Sequence, residues 1–284
     1  MRQHHALPQR PLASAAVTLA LFAALSPATA RADQPLWELG LGVGWLHLPH
    51  YRGSDQSRNW LLPIPYFQYR GEIFRADREG AHALLVNEER LKFDLSLSFN
   101  TPTRSQDNLA RAGLPNLAPT LELGPSVKWV LGAGRGSNGS WGLDLRLPVR
   151  AVFSLEKDAR LIGTTASPVL NYDWSSQGWD TIWQIGPVAA SRGYNRYFYG
   201  VPTASSTASR PAYEARGGAG GWAATALASR RFGDVWLGTY AQYDSLAGAT
   251  FNASPLVRAR SNFSVGVGLS YVFAVSQTRV PDDR

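Results

Sequence analysis

The chain has 284 residues, no cysteine and a formal net charge of +7. Because it contains no cysteine, an exported chain of this length must be stabilised by a large core or a closed ladder of strands. Only 17% of the residues are charged, whereas Gly (27), Trp (10) and Tyr (11) are plentiful. This composition favours strands and interfacial aromatic belts over helices.

Residues 1–30 have the pattern of a cleaved signal peptide. Arg2 and Arg10 form the positive n-region, 12–25 is the apolar region, and A-T-A at 28–30 is a small-residue cleavage site. Removal of these two arginines leaves a mature net charge of +5. Export and the scattered basic residues argue against a cytoplasmic location and a nucleic-acid partner. No later apolar run reaches about 18 residues, so no transmembrane helix is predicted.

Alternation with a period of two is the dominant pattern in the rest of the chain. In Leu91–Asn100 apolar residues alternate with Lys, Asp, Ser and Asn, and about ten residues suffice for a tilted strand to cross a bilayer. Trp37 and Trp45 bracket a similar segment on one face, roughly 26 Å apart at ~3.3 Å per residue. A strand of a soluble sandwich explains the alternation of either segment equally well.

The lengths of the connections distinguish these two readings. The alternation predicts twelve strands, at 37–45, 59–70, 72–77, 81–86, 91–100, 121–131, 143–153, 160–174, 179–191, 217–231, 233–245 and 261–273. With the N-terminus in the periplasm, the long connections (49–58, 101–117, 192–215 and 246–260) all fall on the outer side. Long outer loops and short periplasmic turns are typical of outer-membrane barrels. We therefore predict an all-β fold, a single antiparallel transmembrane β-barrel of about twelve strands, with ten as the alternative.

The predicted barrel occupies residues 31–273 and is followed by a polar tail at 274–284. On the last strand, Phe263, Leu269, Tyr271 and Phe273 share one face. A terminal aromatic residue is typical of such barrels, but here eleven residues follow Phe273. We interpret them as a periplasmic extension, or as a sign that insertion uses an internal signal.

The polar faces of the best strands carry charges of both signs. These candidate lumen-facing residues are Lys92, Asp94, Glu122, Lys128, Asp144, Arg146 and Arg150. Arg75 and Asp77 share a face of the short 72–86 hairpin; they form either a ligand clamp or, as we expect, part of the same ion-pair network. Buried lumenal charges need partners. Lys92, Lys128, Arg146 and Arg150 either line a small anion-favouring pore or pair with the acidic residues and close the pore.

Enzyme and metal signatures are weak. His47, His50 and His82 lack metal-binding spacing, and His50 with Asp55 is the only local pairing that resembles catalytic machinery. The glycines of 132–136 lack the strand–loop–helix context of a phosphate-binding loop and are expected to form a turn. We therefore predict no enzyme activity, no metal and no cofactor.

Several stretches in order along the chain resemble one family. They are Y-R-G-S-D at 51–55, L-P-I-P-Y-F-Q-Y-R-G at 62–71, F-R-A-D-R at 74–78, L-K-F-D-L-S-L-S-F at 91–99, A-R-A-G-L-P-N-L-A-P-T-L-E-L-G-P-S at 110–126, Y-F-Y-G-V at 197–201 and P-A-Y-E-A-R-G-G at 211–218. Through these, the chain resembles the MltA-interacting protein (MipA/OmpV) family of outer-membrane β-barrels.

The resemblance implies a scaffold in the cell envelope of a Gram-negative bacterium. The partners it implies are outer-membrane lipid, a murein lytic transglycosylase and a peptidoglycan synthase. The alternative is a narrow outer-membrane channel or porin-like pore for small solutes, which the charged face of the strands would line.

Overall fold

Strands make up most of the chain that the structure describes. The computed structural model describes residues 34–71, 74–77, 80–83, 86–87, 90–137 and 139–280, without the side chains of 72–89. The predicted signal peptide lies outside the described residues. The strands are β1 (Gln34–Pro35), β2 (Trp37–Pro49), β3 (Ser57–Arg70), β4 (Phe74–Asp77), β5 (Gly80–Ala83), β6 (Val86–Asn87), β7 (Leu91–Asn100), β8 (Thr120–Gly136), β9 (Gly139–Leu155), β10 (Ala159–Ala166), β11 (Val169–Ser176), β12 (Trp179–Ala190), β13 (Gly218–Phe232), β14 (Val235–Ser245), β15 (Ser261–Val275) and β16 (Arg279–Val280).

Helices occur only in the connections of the described chain. The α-helix α1 spans Arg192–Tyr199, and short 3-10 turns span Ser105–Asp107, Leu109–Arg111 and Thr203–Ser205. Ser191 begins α1 as its N-cap, accepting a hydrogen bond from the backbone of Tyr194. Within the described ranges, no helix is long and apolar enough to span a membrane.

One antiparallel sheet contains fourteen of the described strands, in the order β5-β4-β3-β2-β15-β14-β13-β12-β10-β9-β8-β7-β6, with β11 beside both β9 and β12. β10 and β11 follow one another along β9, so they are two halves of one wall strand interrupted at Ser167 and Pro168. The two ends of the order meet, because Cα atoms of β5 lie within 8 Å of β7. The sheet closes into the predicted barrel, and its described segments fill twelve positions when β10/β11 and β5/β6 each count once.

The wall strands turn their apolar faces outward, as the alternation predicted. In β2, Leu41 is 59% exposed, whereas Glu38 on the opposite face is 3% exposed. In β15, Phe263 and Phe273 point outward and are exposed, while the serines and glycines between them are buried. Exposing a large apolar side chain to water costs about 1.5–3 kcal/mol. A continuous band of such side chains is the surface that a hydrocarbon layer requires.

The connections differ sharply between the two ends of the barrel. Antiparallel pairing puts the long connections 50–56, 101–119, 191–217 and 246–260 at one end, which we call the loop end. The opposite end, the turn end, has two-residue connections between β8 and β9, β11 and β12, and β13 and β14. Gln177 and Gly178 both have positive φ (51° and 79°), which matches the twist of a tight hairpin. The predicted parity of long and short connections is confirmed.

The glycines of 132–136 do not form the predicted turn. They belong to β8, which has a register shift between Val130 and Gly132 and pairs with β9 as far as Gly136. A Cβ atom at Gly134 would lie 2.7 Å from Nε1 of Trp141. These glycines therefore leave room for the Trp141 ring on the strand surface, and the prediction of a turn was wrong.

The two ends of the described chain pair with each other. β15 continues to Val275, and the following residues fold back so that β16 pairs with β1, Gln34 opposite Val280 and Pro35 opposite Arg279. The Leu36 amide also donates to the Thr278 carbonyl at 2.9 Å. The first two residues of the predicted tail thus extend the last wall strand, and β16 joins β1 in a small two-stranded ladder at the turn end.

Candidate functional site: lumenal ion pairs and the loop-end core

Asp144 is the centre of one ion-pair cluster in the barrel interior. It is 2% exposed and lies on the inward face of β9. Its carboxylate accepts from Nε of Arg146 at 2.7 Å and lies 3.3 Å from Nζ of Lys128. Asn171, from β11, donates to the same carboxylate at 3.0 Å. One carboxylate thus joins three wall strands.

Glu122, on β8, is the centre of a second cluster nearer the loop end. It accepts hydrogen bonds from Thr165 at 2.9 Å and Asn100 at 3.1 Å, and Arg150 lies 3.9 Å away. The Arg150 guanidinium donates twice to the Ser96 hydroxyl, at 2.9 and 2.8 Å. The cluster therefore links β7, β8, β9 and β10.

The other candidate residues take different places. Lys92 and Asp94 lie on the half-buried inward face of β7, with Lys92 paired opposite Lys128 and Asp94 within electrostatic range of Arg150. Arg75 lies opposite Arg70 in the β3–β4 ladder, and Asp77 lies opposite Gly80. The side chains of Arg75 and Asp77 are outside the description, so their membership of the network stays a prediction.

A third cluster, at the turn end, was not predicted. Glu38 accepts from Arg70 at 2.7 Å and forms a close ion pair with Arg231. The sequence contained a signal for it, because Glu38 is the one charged residue on the glycine-rich face of β2. Arg231 lies on β13, so its approach to Glu38 depends on the pairing of β2, β15, β14 and β13 in the closed barrel.

The loop end contains a hydrophobic core that sequence reasoning also missed. The core gathers buried side chains from all four long loops and from the inner barrel wall: Tyr51, Leu117, Val152, Ile162, Phe198, Tyr199, Ala215, Leu246, Ala249 and Phe251. Val152 and Ile162 belong to β9 and β10, so the core sits within the barrel mouth. No single periodic pattern marks these residues, because they come from loops, a short helix and two strands that are far apart in the sequence.

Hydrogen bonds and an ion pair stabilise the hydrophobic core defined above, which we call the loop-end core. Asp244 at the top of β14 accepts from Arg52 at 2.8 Å. The Tyr51 hydroxyl donates to the Leu256 carbonyl at 2.8 Å, and the Tyr199 hydroxyl donates to the Arg52 carbonyl at 3.0 Å. Arg111 is 3% exposed and donates to the Phe198 carbonyl at 2.9 Å.

Burial also shifts the ionisation of the loop residues. It raises the pKa of Tyr51 to about 12, against the opposing effect of Arg111. Burial lowers the pKa of Arg111 and raises that of Tyr199. The raised pKa values keep the Tyr51 and Tyr199 hydroxyls protonated across the physiological pH range, which fits a structural role.

His47 and His50, the histidines from residue 34 onward whose side chains are described, serve as hydrogen-bond partners. His50 Nδ1 lies 3.1 Å from Nδ2 of Asn108, and not beside Asp55, while His47 bonds Asn59 at 2.9 Å. Burial, followed by the charge of Arg58, lowers the pKa of His50. Among the residues whose side chains are described, no three His, Cys, Asp or Glu residues are grouped to hold a metal ion. The absence of a metal, a cofactor and an enzyme activity stays a prediction.

Comparisons with solved structures find outer-membrane proteins of low similarity. Outer membrane phospholipase A from Escherichia coli is 10% identical with a TM-score of 0.31, over 84% of this chain and 93% of that chain. A bacterial polysaccharide outer membrane secretin is 9% identical with a TM-score of 0.34, over 85% and 99%. The toluene transporter TodX of Pseudomonas putida is 10% identical with a TM-score of 0.29, over 83% and 88%. Scores this low carry no argument about activity.

One protein-family model matches most of the chain. The search of curated proteins finds no match. The model of the family described as MltA-interacting protein MipA matches residues 41–273, from the first long wall strand to the outward aromatic residue near the end of the last. This match covers most of the chain and includes the stretches from which the resemblance was first inferred. The chain belongs to the MltA-interacting protein MipA family.

Proposed function

We propose that this protein is a non-enzymatic scaffold of the outer membrane that holds envelope enzymes through its turn end. The family description supports a murein lytic transglycosylase as one partner. The resemblance to the family's scaffolding members supports a peptidoglycan synthase as the second. The exposed apolar face of the wall supports outer-membrane lipid as its surroundings, reached after removal of the signal peptide.

The difference between the two barrel ends carries this proposal. The four long loops pack against one another in the loop-end core, so the apolar side chains of that core are already buried. The turn end instead presents short hairpins and the partly exposed two-stranded ladder of β1 and β16, in which Arg279 is exposed. In an outer-membrane barrel the short turns face the periplasm, where murein enzymes work.

A narrow channel is the alternative function. The charged clusters around Asp144 and Glu122 lie in the barrel interior, and charged side chains there favour a channel. The loop-end core opposes it, since solutes would have to pass side chains such as Phe251 and Leu246 that are at most 1% exposed. Absence of single-channel current steps from the reconstituted barrel would exclude the channel.

A capture experiment tests the scaffold. The folded mature barrel is immobilised, a detergent extract of its own envelope is passed over it at moderate salt, and the bound proteins are identified. Two charge reversals at opposite ends provide a matched pair: Arg279→Glu in β16 at the turn end and Arg192→Glu, which is exposed at the loop end.

We expect the wild type and Arg192→Glu to capture a murein hydrolase or synthase and Arg279→Glu to capture much less. Capture no greater than that of an unrelated barrel would contradict the scaffold. Equal capture by all three proteins would contradict the assignment of the turn end as the binding surface.

A further inference from the structure

A cavity of about 330 Å³ lies inside the barrel, away from the ion pairs around Asp144 and Glu122. Its lining comes from six wall strands and is largely apolar, with Leu46, Ile64, Ile182 and Leu227 contributing aliphatic side chains. The aromatic residues Tyr66, Trp236 and Tyr240 also contribute to the lining. The centroids of the Tyr66 and Trp236 rings lie 5.6 Å apart, so the two rings are neighbours in the lining.

Inward-facing glycines create this space. Gly238 on β14 and Gly266 and Gly268 on β15 leave a stretch of wall without side chains. A Cβ atom at Gly268 would lie 2.8 Å from the Ile64 side chain, and one at Gly266 would clash with Leu46. Because these side chains lie directly against the wall, the middle of the barrel stays open.

The cavity is open toward the turn end. A second cavity of about 250 Å³ at that end shares five lining residues with the first: Tyr66, Gln68, Asp180, Ser229 and Trp236. The two therefore form one chamber with Ser229 at the junction. The loop-end core closes the opposite side, so the chamber is blind and its entrance faces the turn end.

The chemistry of the chamber selects an uncharged ligand. At its entrance, Arg70 and Arg231 both bond to Glu38, and at the junction the Asp180 carboxylate accepts from the Ser175 hydroxyl, so these charged groups already have partners. A charged ligand would lose its hydration on entering this apolar chamber, and groups that are already paired could not offset that free-energy cost. Gln68 and Ser229 place an amide and a hydroxyl at the junction, where they suit one hydrogen-bonding group on an otherwise apolar molecule.

We propose that this chamber binds a small uncharged aromatic molecule that carries one hydroxyl group, a phenol by chemical class. An apolar protein cavity of about 150 Å³ already holds benzene, and ligand pockets begin at about 300 Å³. The ring lies between Ile182 and Trp236, and the hydroxyl points toward Gln68 and Ser229. This binding is independent of scaffolding.

Fluorine NMR with para-fluorophenol as the probe tests the proposal on the full mature barrel in lipid nanodiscs. Ser229→Phe fills the junction from inside. Ala226→Phe adds the same ring to the outward face of the same strand, where Ala226 pairs with the exposed Trp183. Empty nanodiscs measure partitioning into lipid, and the heat-dependent gel shift of folded barrels confirms folding of each variant.

We expect saturable binding to the wild type and to Ala226→Phe, and binding at least about tenfold weaker, equivalent to about 1.4 kcal/mol, to Ser229→Phe. If Ser229→Phe does not fold, Ile182→Ala replaces it. That variant enlarges the chamber, so a fluorinated naphthol, with one more ring, should bind it about tenfold more tightly than it binds the wild type. Binding no greater than to empty nanodiscs, or equal binding by wild type and the chamber variant, would overturn the proposal.

Discussion

Tyr199 and Phe251 stack face to face across the barrel mouth, with ring centroids 3.7 Å apart and planes within 9°. Tyr199 ends α1, and Phe251 lies in the loop between β14 and β15. The Ser254 hydroxyl reinforces the contact by donating to the Tyr199 carbonyl at 2.7 Å. The stack therefore joins the loop between β12 and β13 to the loop between β14 and β15, whose strands are consecutive in the wall.

Truncation at Phe251 should loosen the loops and leave the wall intact. Phe251 is 1% exposed, and Phe→Ala substitutions in cores cost about 3–5 kcal/mol. We expect Phe251→Ala to keep the folded barrel but to make the loop 246–260 susceptible to limited proteolysis. Phe263→Ala, which removes a 58% exposed ring from the outward face, is the control and should leave the loops resistant. Equal resistance of both variants would show that the stack does not hold the loops.

Removal of the Asp144 carboxylate should destabilise the barrel itself. Lys128 and Arg146 would then face each other without their shared counter-ion, and breaking a buried ion pair costs about 3–5 kcal/mol. We expect Asp144→Ala to unfold at a clearly lower urea concentration than the wild type. The unfolding of both proteins in lipid vesicles is monitored by tryptophan fluorescence. Lys128→Met in the same chain should recover part of the loss.

Asp234→Ala serves as the control for Asp144→Ala. The Asp234 side chain is 65% exposed and lies 3.8 Å from Arg231 at the turn end, where an ion pair contributes about 0–1 kcal/mol. Equal effects of the two substitutions would contradict a structural role for the buried cluster.

Loop packing should weaken as the pH falls through the range in which His50 becomes protonated. Burial lowers the pKa of His50 in the folded protein, so the folded state binds fewer protons than the unfolded state. The stabilisation is therefore fully present above the unfolded value of about 6.5 and is lost as the pH falls below it. Protonated Nδ1 would also oppose the amide of Asn108.

Hydrogen exchange of residues 101–119, corrected for intrinsic rates, measures this dependence about one pH unit above and below 6.5. We expect faster exchange at the lower pH in the wild type and a smaller change in His50→Gln, whose amide oxygen can still accept. His47→Gln is the control, since His47 bonds Asn59 on the neighbouring strand β3. An unchanged pH dependence in His50→Gln would contradict the assignment.

Substitution at Gly42 should disturb the ladder between the first and last long wall strands. A Cβ atom there would overlap the Leu269 backbone oxygen, which cannot move without disrupting the pairing of β2 with β15. We expect Gly42→Ala to lower the yield of folded barrel, measured by the heat-dependent gel shift. Gly136→Ala meets no atom within 4 Å and should fold like the wild type.

The barrel wall was predictable because the alternation of apolar and polar residues is visible within each strand by itself. Leu91–Asn100 alternates without a break, and the structure places its apolar residues outward and its polar residues inward. The partners Asp144 and Arg146 follow from the same period, being two residues apart on one face. Local periodicity is sufficient when one face meets lipid and the other does not.

The loop-end core and the Glu38 cluster depend on distant contacts instead. Tyr51 bonds Leu256, and Glu38 pairs with Arg231, through approaches that exist only after the barrel has closed. The same limitation explains the wrong turn at 132–136. There the glycines accommodate Trp141 from the next strand, a packing reason that a local pattern does not reveal.

The pairing of β1 with β16 brings the start and the end of the described chain side by side. A short linker from residue 280 to residue 34 would therefore join the two ends of the polypeptide, and the chain could begin elsewhere. The tight connection at Gly233 and Asp234 is a suitable new origin, because it lies outside the loop-end core and exposed short turns tolerate circular permutation. Such a permutant would have a different last strand, and its assembly would show whether insertion requires the C-terminal position of β15 or only its sequence.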